Sequence, residues 1–237
     1  MTKLPNGMNT EKLSVPIAIV IAGGLIAGAL YYSNTKTSSK TVDNFQPPTN
    51  NSLEMRPISS TDHILGNPNA DLIIVEYSDT ECPFCKTFHM TLKRVMEEYG
   101  SGGKVAWVYR HFPIDQLHSK ARKEAEATEC AGGLGGEEKF WEYINLLYGT
   151  TNSNDSLDPA ELPKMAGQVG LDVKDFEACL ASGKYAEKVE ADYQDAIKAG
   201  GRGTPNSIIL SKDGTKTPVE GAQPYENLKN ILDALLQ

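Results

Sequence analysis

Apolar and polar positions are unevenly distributed along the chain. From Leu13 to Tyr32 no residue is charged, and Val15 to Leu30 is almost wholly apolar. Twenty residues of helix rise about 30 Å, the thickness of a hydrocarbon core. The segment therefore reads as an N-terminal transmembrane helix over 13–32, behind a short tail at 1–12. A cleaved signal peptide is the alternative: Lys3 and Lys12 supply a charged leading region, and Ala27-Gly28-Ala29 a small-residue cleavage site. Gly24 and Gly28 have the GxxxG spacing, a weak helix-pairing signal. Ser33 to Asn51 is rich in Ser, Thr, Asn and Pro with almost no apolar period. Residues 33–60 thus read as a flexible linker, and 61–237 as the domain it tethers.

Within that domain the pattern changes again. Leu72 to Tyr77 is short, β-branched and apolar, as in a strand buried on both faces. Cys82-Pro83-Phe84-Cys85 follows at once. Phe88, Leu92, Val95, Met96 and Tyr99 then recur at helical spacing until Gly100, and Val105 to Tyr109 reads as a second strand. The order is strand, Cys-x-x-Cys, helix, strand, with Pro83 well placed just inside the helix start.

This placement has a chemical consequence. A thiolate, not a thiol, attacks disulfides. Unpaired backbone N–H groups and the positive end of the helix dipole stabilise an anion at a helix start. Cys82 is thus expected to be the exposed, acidified nucleophile, and Cys85, one turn in, the more buried resolving thiol. A zinc site built on Cys82, Cys85 and His89 is the rival, but no second Cys or His pair supplies a fourth ligand.

Composition narrows the field. The chain has 237 residues, four cysteines and a net charge of -8, so it is neither a cysteine-dense scaffold nor a basic nucleic-acid binder. Residues 61–237 hold 18 Lys and Arg against 28 Asp and Glu, a net charge of -10. His63, His111 and His118 read as surface or loop residues, and Glu124, Glu126 and Glu129 as a solvated helix face. Trp107, Phe140 and Trp141 read as core or domain-interface aromatics.

Leu72 to Cys85 resembles the opening of the thioredoxin-fold disulfide oxidoreductases, specifically the DsbA-like family, and the likeness extends over 61–237. His118-Ser119-Lys120-Ala121 and Ala125 to Ala131 resemble the start of that family's helical insertion. Glu137 to Tyr148 and Phe176 to Tyr185 continue it, and Gly203-Thr204-Pro205 resembles its threonine–cis-proline signature, ahead of a strand at Ser207 to Leu210. The resemblance implies an α/β thioredoxin fold, a mixed central sheet flanked by helices, with a helical insertion at about 117–200 and a final helix ending at Leu236. It implies thiol–disulfide exchange through Cys82 and Cys85, with no cofactor and no metal. Thr204, before a cis-Pro205, would offer its backbone to an extended substrate peptide, a mode that suits broad specificity.

The resemblance also places a buried acid at Glu76, close to the buried cysteine, where a raised pKa would let it pass protons. A strand residue facing solvent is the alternative. Phe84 stands where some members carry a histidine. Cys82 is therefore expected to be acidified mainly by the helix terminus, and the disulfide to be oxidising, but less so than in histidine-bearing relatives. Cys130 and Cys179 either pair with each other or remain two buried thiols. In an oxidising compartment the bond is favoured, closing a loop worth about 4 kcal/mol in the chain-entropy model.

The expected activity is disulfide formation in exported, cysteine-containing proteins outside the cytoplasm. A quinone-linked membrane partner, DsbB-like or of the vitamin K epoxide reductase type, would restore the disulfide. A tethered reductase or isomerase, or a thioredoxin-fold binding module or chaperone without turnover, are the alternatives.

Overall fold

The computed structural model describes residues 53–237. The expected membrane segment at 13–32 and the tail at 1–12 lie outside the described residues, as does the linker up to residue 52. No helix among the described residues is long and apolar enough to cross a membrane.

Five strands form one mixed sheet. They are β1 (His63–Leu65), β2 (Leu72–Ser78), β3 (Val105–His111), β4 (Asn206–Ser211) and β5 (Lys216–Glu220), in the order β1-β3-β2-β4-β5. β2 runs parallel to β3, and the other pairings are antiparallel. A parallel neighbour needs a crossover. Helix α1 (Pro83–Val95), extended by a π-helical turn at Met96–Gly100, supplies it. The chain then leaves the sheet for α2 (Ala121–Thr150), α3 (Glu161–Gln168), α4 (Val173–Ser182) and α5 (Ala186–Lys198), and returns through β4, β5 and α6 (Tyr225–Leu235).

The central strands are buried on both faces, as their apolar runs require. Side chains alternate along a strand. Leu72 and Ile74 of β2, with Trp107 and Tyr109 of β3, pack with Phe88, Leu92, Leu228 and Leu232 of α1 and α6. Val75, Tyr77 and Val108 face the other way, toward Met55 and Ala196. Glu76 falls by this alternation on the α1 face. The insertion has its own apolar cluster, in which Ala127, Cys130 and Tyr143 of α2 meet Leu162, Met165 and Phe176. Helix α2 bends at Gly136, whose φ of 75° any side chain would resist. The bend sends Phe140 and Trp141 back to the sheet.

Two expectations need correction here. Residues 53–60, read as the end of a linker, are held against the domain. Met55 is buried, the Arg56 N–H donates to Asp195 Oδ1 at 2.7 Å, and its guanidinium reaches Asp62 and Asp192 at 2.8 and 2.6 Å. These join Arg110, itself fully buried, which donates to Asp62 at 2.8 Å and Asp195 at 2.7 Å. Second, Glu124, Glu126 and Glu129 do not form a solvated face, because all three are buried. Glu129 accepts from a ring nitrogen of His63 and another of His111 and lies 2.8 Å from Lys188 Nζ. Its carboxyl is held far below the usual range: burial raises it, but the His111 and His63 hydrogen bonds and the charges of His111 and Lys188 overcome that. His63 and His111 are therefore interior partners of a carboxylate, not surface residues.

Candidate active site

The fold brings Cys82, Cys85, Glu76, Thr204 and Pro205 to one end of the sheet. Cys82 is the extended residue immediately before α1, with Pro83 in the first helical turn. The Lys86 N–H donates to the Cys82 carbonyl at 3.1 Å, so the helix ladder starts at that cysteine. Both thiols are free. Cys85 is completely buried, and its sulfur accepts from the Asp79 N–H at 3.4 Å.

Cys82 is not the exposed thiol that its position at the helix edge suggested, since only 5% of the residue is accessible. The loop before β4 covers it. The Thr204–Pro205 peptide is cis, and Cys82 Sγ lies 3.5 Å from the Thr204 carbonyl. A groove of about 290 Å³ runs along this loop between Gly200, Arg202, Asn206 and Glu220. Phe84, by contrast, is 64% exposed beside the buried sulfurs.

The two thiols are pushed apart. Cys82 is lowered to about 6, first because the Cys85 thiol donates to its sulfur, with the Thr204 side chain and the N–H groups of Cys85 and Phe84 adding, while burial opposes. The helix terminus thus contributes, but the neighbouring thiol contributes more than the sequence reading allowed. Cys85 is raised well above the ordinary thiol value, by burial first, then by Cys82 and by the charge of Glu76. A dithiol in this state carries one thiolate, on the outer sulfur, near neutral pH.

Glu76 is fully buried on the α1 face, not turned to solvent. Its carboxyl accepts from Ser78 Oγ at 2.8 Å and from Trp107 Nε1 at 3.0 Å. Burial pushes it up to about 8, against those two donors. A carboxyl titrating there can give or take a proton under ordinary conditions. Ser78 also meets the Tyr148 hydroxyl at 3.0 Å, which lies 3.1 Å from that of Tyr109. His89 turns elsewhere, pairing through Nε2 with Asn145 Oδ1 at 2.8 Å, and burial lowers it to about 4.

Around the thiols lie residues that the sequence did not mark, Asp79 and Glu81, and two that it reads as surface groups, His118 and Glu124. Asp79 links the cysteine loop to the insertion: its carbonyl accepts from the Cys82 N–H, and its carboxylate accepts from the N–H groups of Glu81 and Ile114. His118 is also buried, with Nδ1 2.9 Å from Asp79 Oδ2. Glu81 and Glu124 form a buried acid pair, and burial with that pairing pushes Glu124 to about 9. Cys130 and Cys179 lie away from this cluster, joined in a disulfide between α2 and α4.

This geometry agrees with what the chain is similar to. A family model described as thioredoxin matches residues 59–234. The chain belongs to the thioredoxin family. Among solved structures, DsbA2 of Pseudomonas aeruginosa is 28% identical with a TM-score of 0.64, covering 76% of this chain and 97% of that one. Alpha-DsbA1 of Wolbachia pipientis is 26% identical with a TM-score of 0.66, covering 79% and 96%. This member of the thioredoxin family is a DsbA-like thiol–disulfide oxidoreductase. A curated relative, Na(+)/H(+) antiporter NhaA 1 of Mycobacterium sp. strain KMS, is 31% identical over 194 residues. That alignment takes in 80% of this chain but 30% of the antiporter's length. The chain thus spans under a third of such relatives.

Proposed function

We propose that the protein donates disulfides outside the cytoplasm, held at a membrane by the apolar segment at 13–32. Its Cys82–Cys85 disulfide would oxidise thiols of exported proteins. The observation that carries this reading is the placement of the pair, with Cys82 at the helix start 3.5 Å from the carbonyl before the cis-proline and Cys85 fully buried; Cys82, lowered to about 6, and Cys85, raised well above the ordinary value, agree with it. Stabilising the reduced form through a thiolate makes the disulfide a stronger oxidant.

A substrate thiolate attacks Cys82 Sγ. The intramolecular S–S bond breaks, and Cys85 leaves with the electron pair and takes up a proton, for which Glu76 is the nearby buried source. A second substrate thiolate then attacks the substrate sulfur of the mixed disulfide. The substrate disulfide forms, Cys82 departs as a thiolate, and two electrons have passed to the enzyme. The Thr204 backbone, at the edge of the groove, would pair with the extended substrate. Phe84 supplies no imidazolium, so the oxidising strength would fall below that of histidine-bearing relatives.

The Cys130–Cys179 bond supports an oxidising compartment. The likeness to two DsbA proteins supports thiol–disulfide exchange at this pair. Reoxidation would fall to a quinone-linked membrane partner, DsbB-like or of the vitamin K epoxide reductase type. The test is recovery of reduced, unfolded ribonuclease with the oxidised protein, run beside insulin reduction with dithiothreitol. Ribonuclease recovery that outpaces insulin precipitation is the expected result. The opposite ranking, with a glutathione-measured potential near -270 mV, would mean a reductase.

A further inference from the structure

Cys82 keeps a lowered pKa in unpromising surroundings. Asp79 and Glu81 lie in the loop that leads to it, Glu124 stands on α2, and Asp155 in the turn after α2. Carboxylates close to a thiolate raise its pKa, and of these four Glu124, pushed up to about 9, is held uncharged near neutral pH by its surroundings. Arg202 lines the groove at the Thr204 loop, and the lysines of this region are engaged elsewhere. Lys86 Nζ is drawn 2.6 Å from the Thr151 carbonyl, and Lys120 Nζ is spent on the carbonyls of Asp155 and Leu157 at 2.6 and 2.7 Å. Phe84 has no charge to offer.

His118 differs from these. Its backbone N–H is fixed to the Ile114 carbonyl at 2.9 Å, and its Nδ1 to Asp79 Oδ2 at 2.9 Å. Asp79 is anchored in turn by the Glu81 and Ile114 N–H groups at 2.8 and 2.7 Å. The same residue accepts the Cys82 N–H through its carbonyl and donates its own N–H to Cys85 Sγ. One residue therefore positions both the sulfurs and the imidazole. With Nδ1 committed, Nε2 has no hydrogen-bond partner among the described residues, and His118 remains 6% exposed.

We propose that His118, positioned by Asp79, is the cation that balances the Cys82 thiolate, supplying from the insertion the charge that the Pro83–Phe84 dipeptide lacks. The inference rests on Cys82 being the reactive thiol. His118 transfers no atom in this role. It favours the state in which Cys82 departs as an anion, and so strengthens the disulfide as an oxidant. Its own titration agrees: burial lowers it, but the Asp79 hydrogen bond and charge, then the charges of Cys82 and Asp155, raise it above the ordinary imidazole value.

Two measurements on the full chain test this. In reduced wild type, thiolate absorbance at 240 nm is followed against pH, beside His118→Gln, which can still donate to Asp79 but carries no charge. The midpoint is expected to rise by about one pH unit in the variant, and the glutathione equilibrium to move up to about tenfold toward the oxidised enzyme. An unchanged or lowered midpoint in folded His118→Gln overturns the inference. The second measurement needs no variant. Coupling between two sites is reciprocal, so the His118 ring, followed by NMR, must titrate higher in reduced than in oxidised wild type. Equal midpoints overturn the inference. A wild type with no thiolate step below pH 8 overturns the reading of Cys82 itself, and this inference with it.

Discussion

The molecule holds two cysteine pairs, and their surroundings differ more than their burial does. Cys82 and Cys85 lie at the start of one helix, just before it and in its first turn, both largely removed from solvent, amid N–H donors, a carboxyl near 8 and a thiol that donates to its neighbour. Cys130 and Cys179 are 49 residues apart and join α2 to α4 among Ala127, Ala131 and Leu180. In the first pair each sulfur shifts the other's titration in the opposite direction. The second pair ties two insertion helices across an apolar cluster. Burial does not decide reactivity here; the donors and charges that separate two thiols do.

The sharpest way to break this comparison is to exchange the fates of the pairs. Cys82→Ser is expected to reduce thiol–disulfide exchange to the uncatalysed rate. Replacing Cys130 and Cys179 together by Ala should leave the rate per folded molecule within about twofold. That double variant should instead lose about 4 kcal/mol of stability, from the 49-residue separation the bond closes. At this chain length the loss lowers Tm by roughly 10 °C. Calorimetry beside a turnover assay reads both quantities, and a large activity loss in the folded double variant would contradict the division of roles.

A smaller effect is expected at Cys85. Cys85→Ala removes the donor that contributes most to the lowered Cys82 value, so the Cys82 midpoint should climb from about 6 toward about 8.5. The variant should also accumulate mixed disulfides, visible by non-reducing electrophoresis. A midpoint that stays near 6 would return the main role to the helix terminus.

Glu76 gives a finer test through pH. Its folded value, near 8, lies above the ordinary 4.5. Between those values the folded protein holds a proton that the unfolded chain has released. Its contribution is fully present below about pH 4.5 and is lost as pH rises toward 8, at no more than about 1.4 kcal/mol per unit. Glu124, raised to about 9, acts in the same direction. In the oxidised protein, where neither active-site thiol titrates, Glu76→Gln should flatten part of the decline in denaturant stability between pH 5 and 8. A slope identical to wild type would place Glu76 in a wetter setting than its contacts imply.

The legible part of this molecule was local. The strand, Cys-x-x-Cys, helix order could be read from Leu72 to Tyr109 because burial, helix period and the Pro83 signal agree within about forty residues. Glu76 interrupts an apolar run, which marked it, and β2 alternation places it toward α1. The charged partners were not legible, because they are distant in sequence. Glu129 meets His63 across 66 positions, Asp79 meets His118 across 39, and Arg56 reaches Asp192 across 136. Charged residues clustered on one helix look the same in a sequence whether water or buried cations face them, so Glu124, Glu126 and Glu129 were misread. Arg56 went unread for the same reason, which hid the start of the packed domain. The low exposure of Cys82 depends on a loop 122 positions later.

One buried sulfur is a thiolate near neutral pH and its partner is not. Brief iodoacetamide labelling of the reduced protein across pH 4 to 10, with the alkylated peptides mapped by mass spectrometry, tests it directly. Cys82 is expected to label first, with a midpoint near pH 6, while Cys85 stays unlabelled up to pH 9. Equal labelling of the two, or a Cys82 midpoint above pH 8, would contradict it.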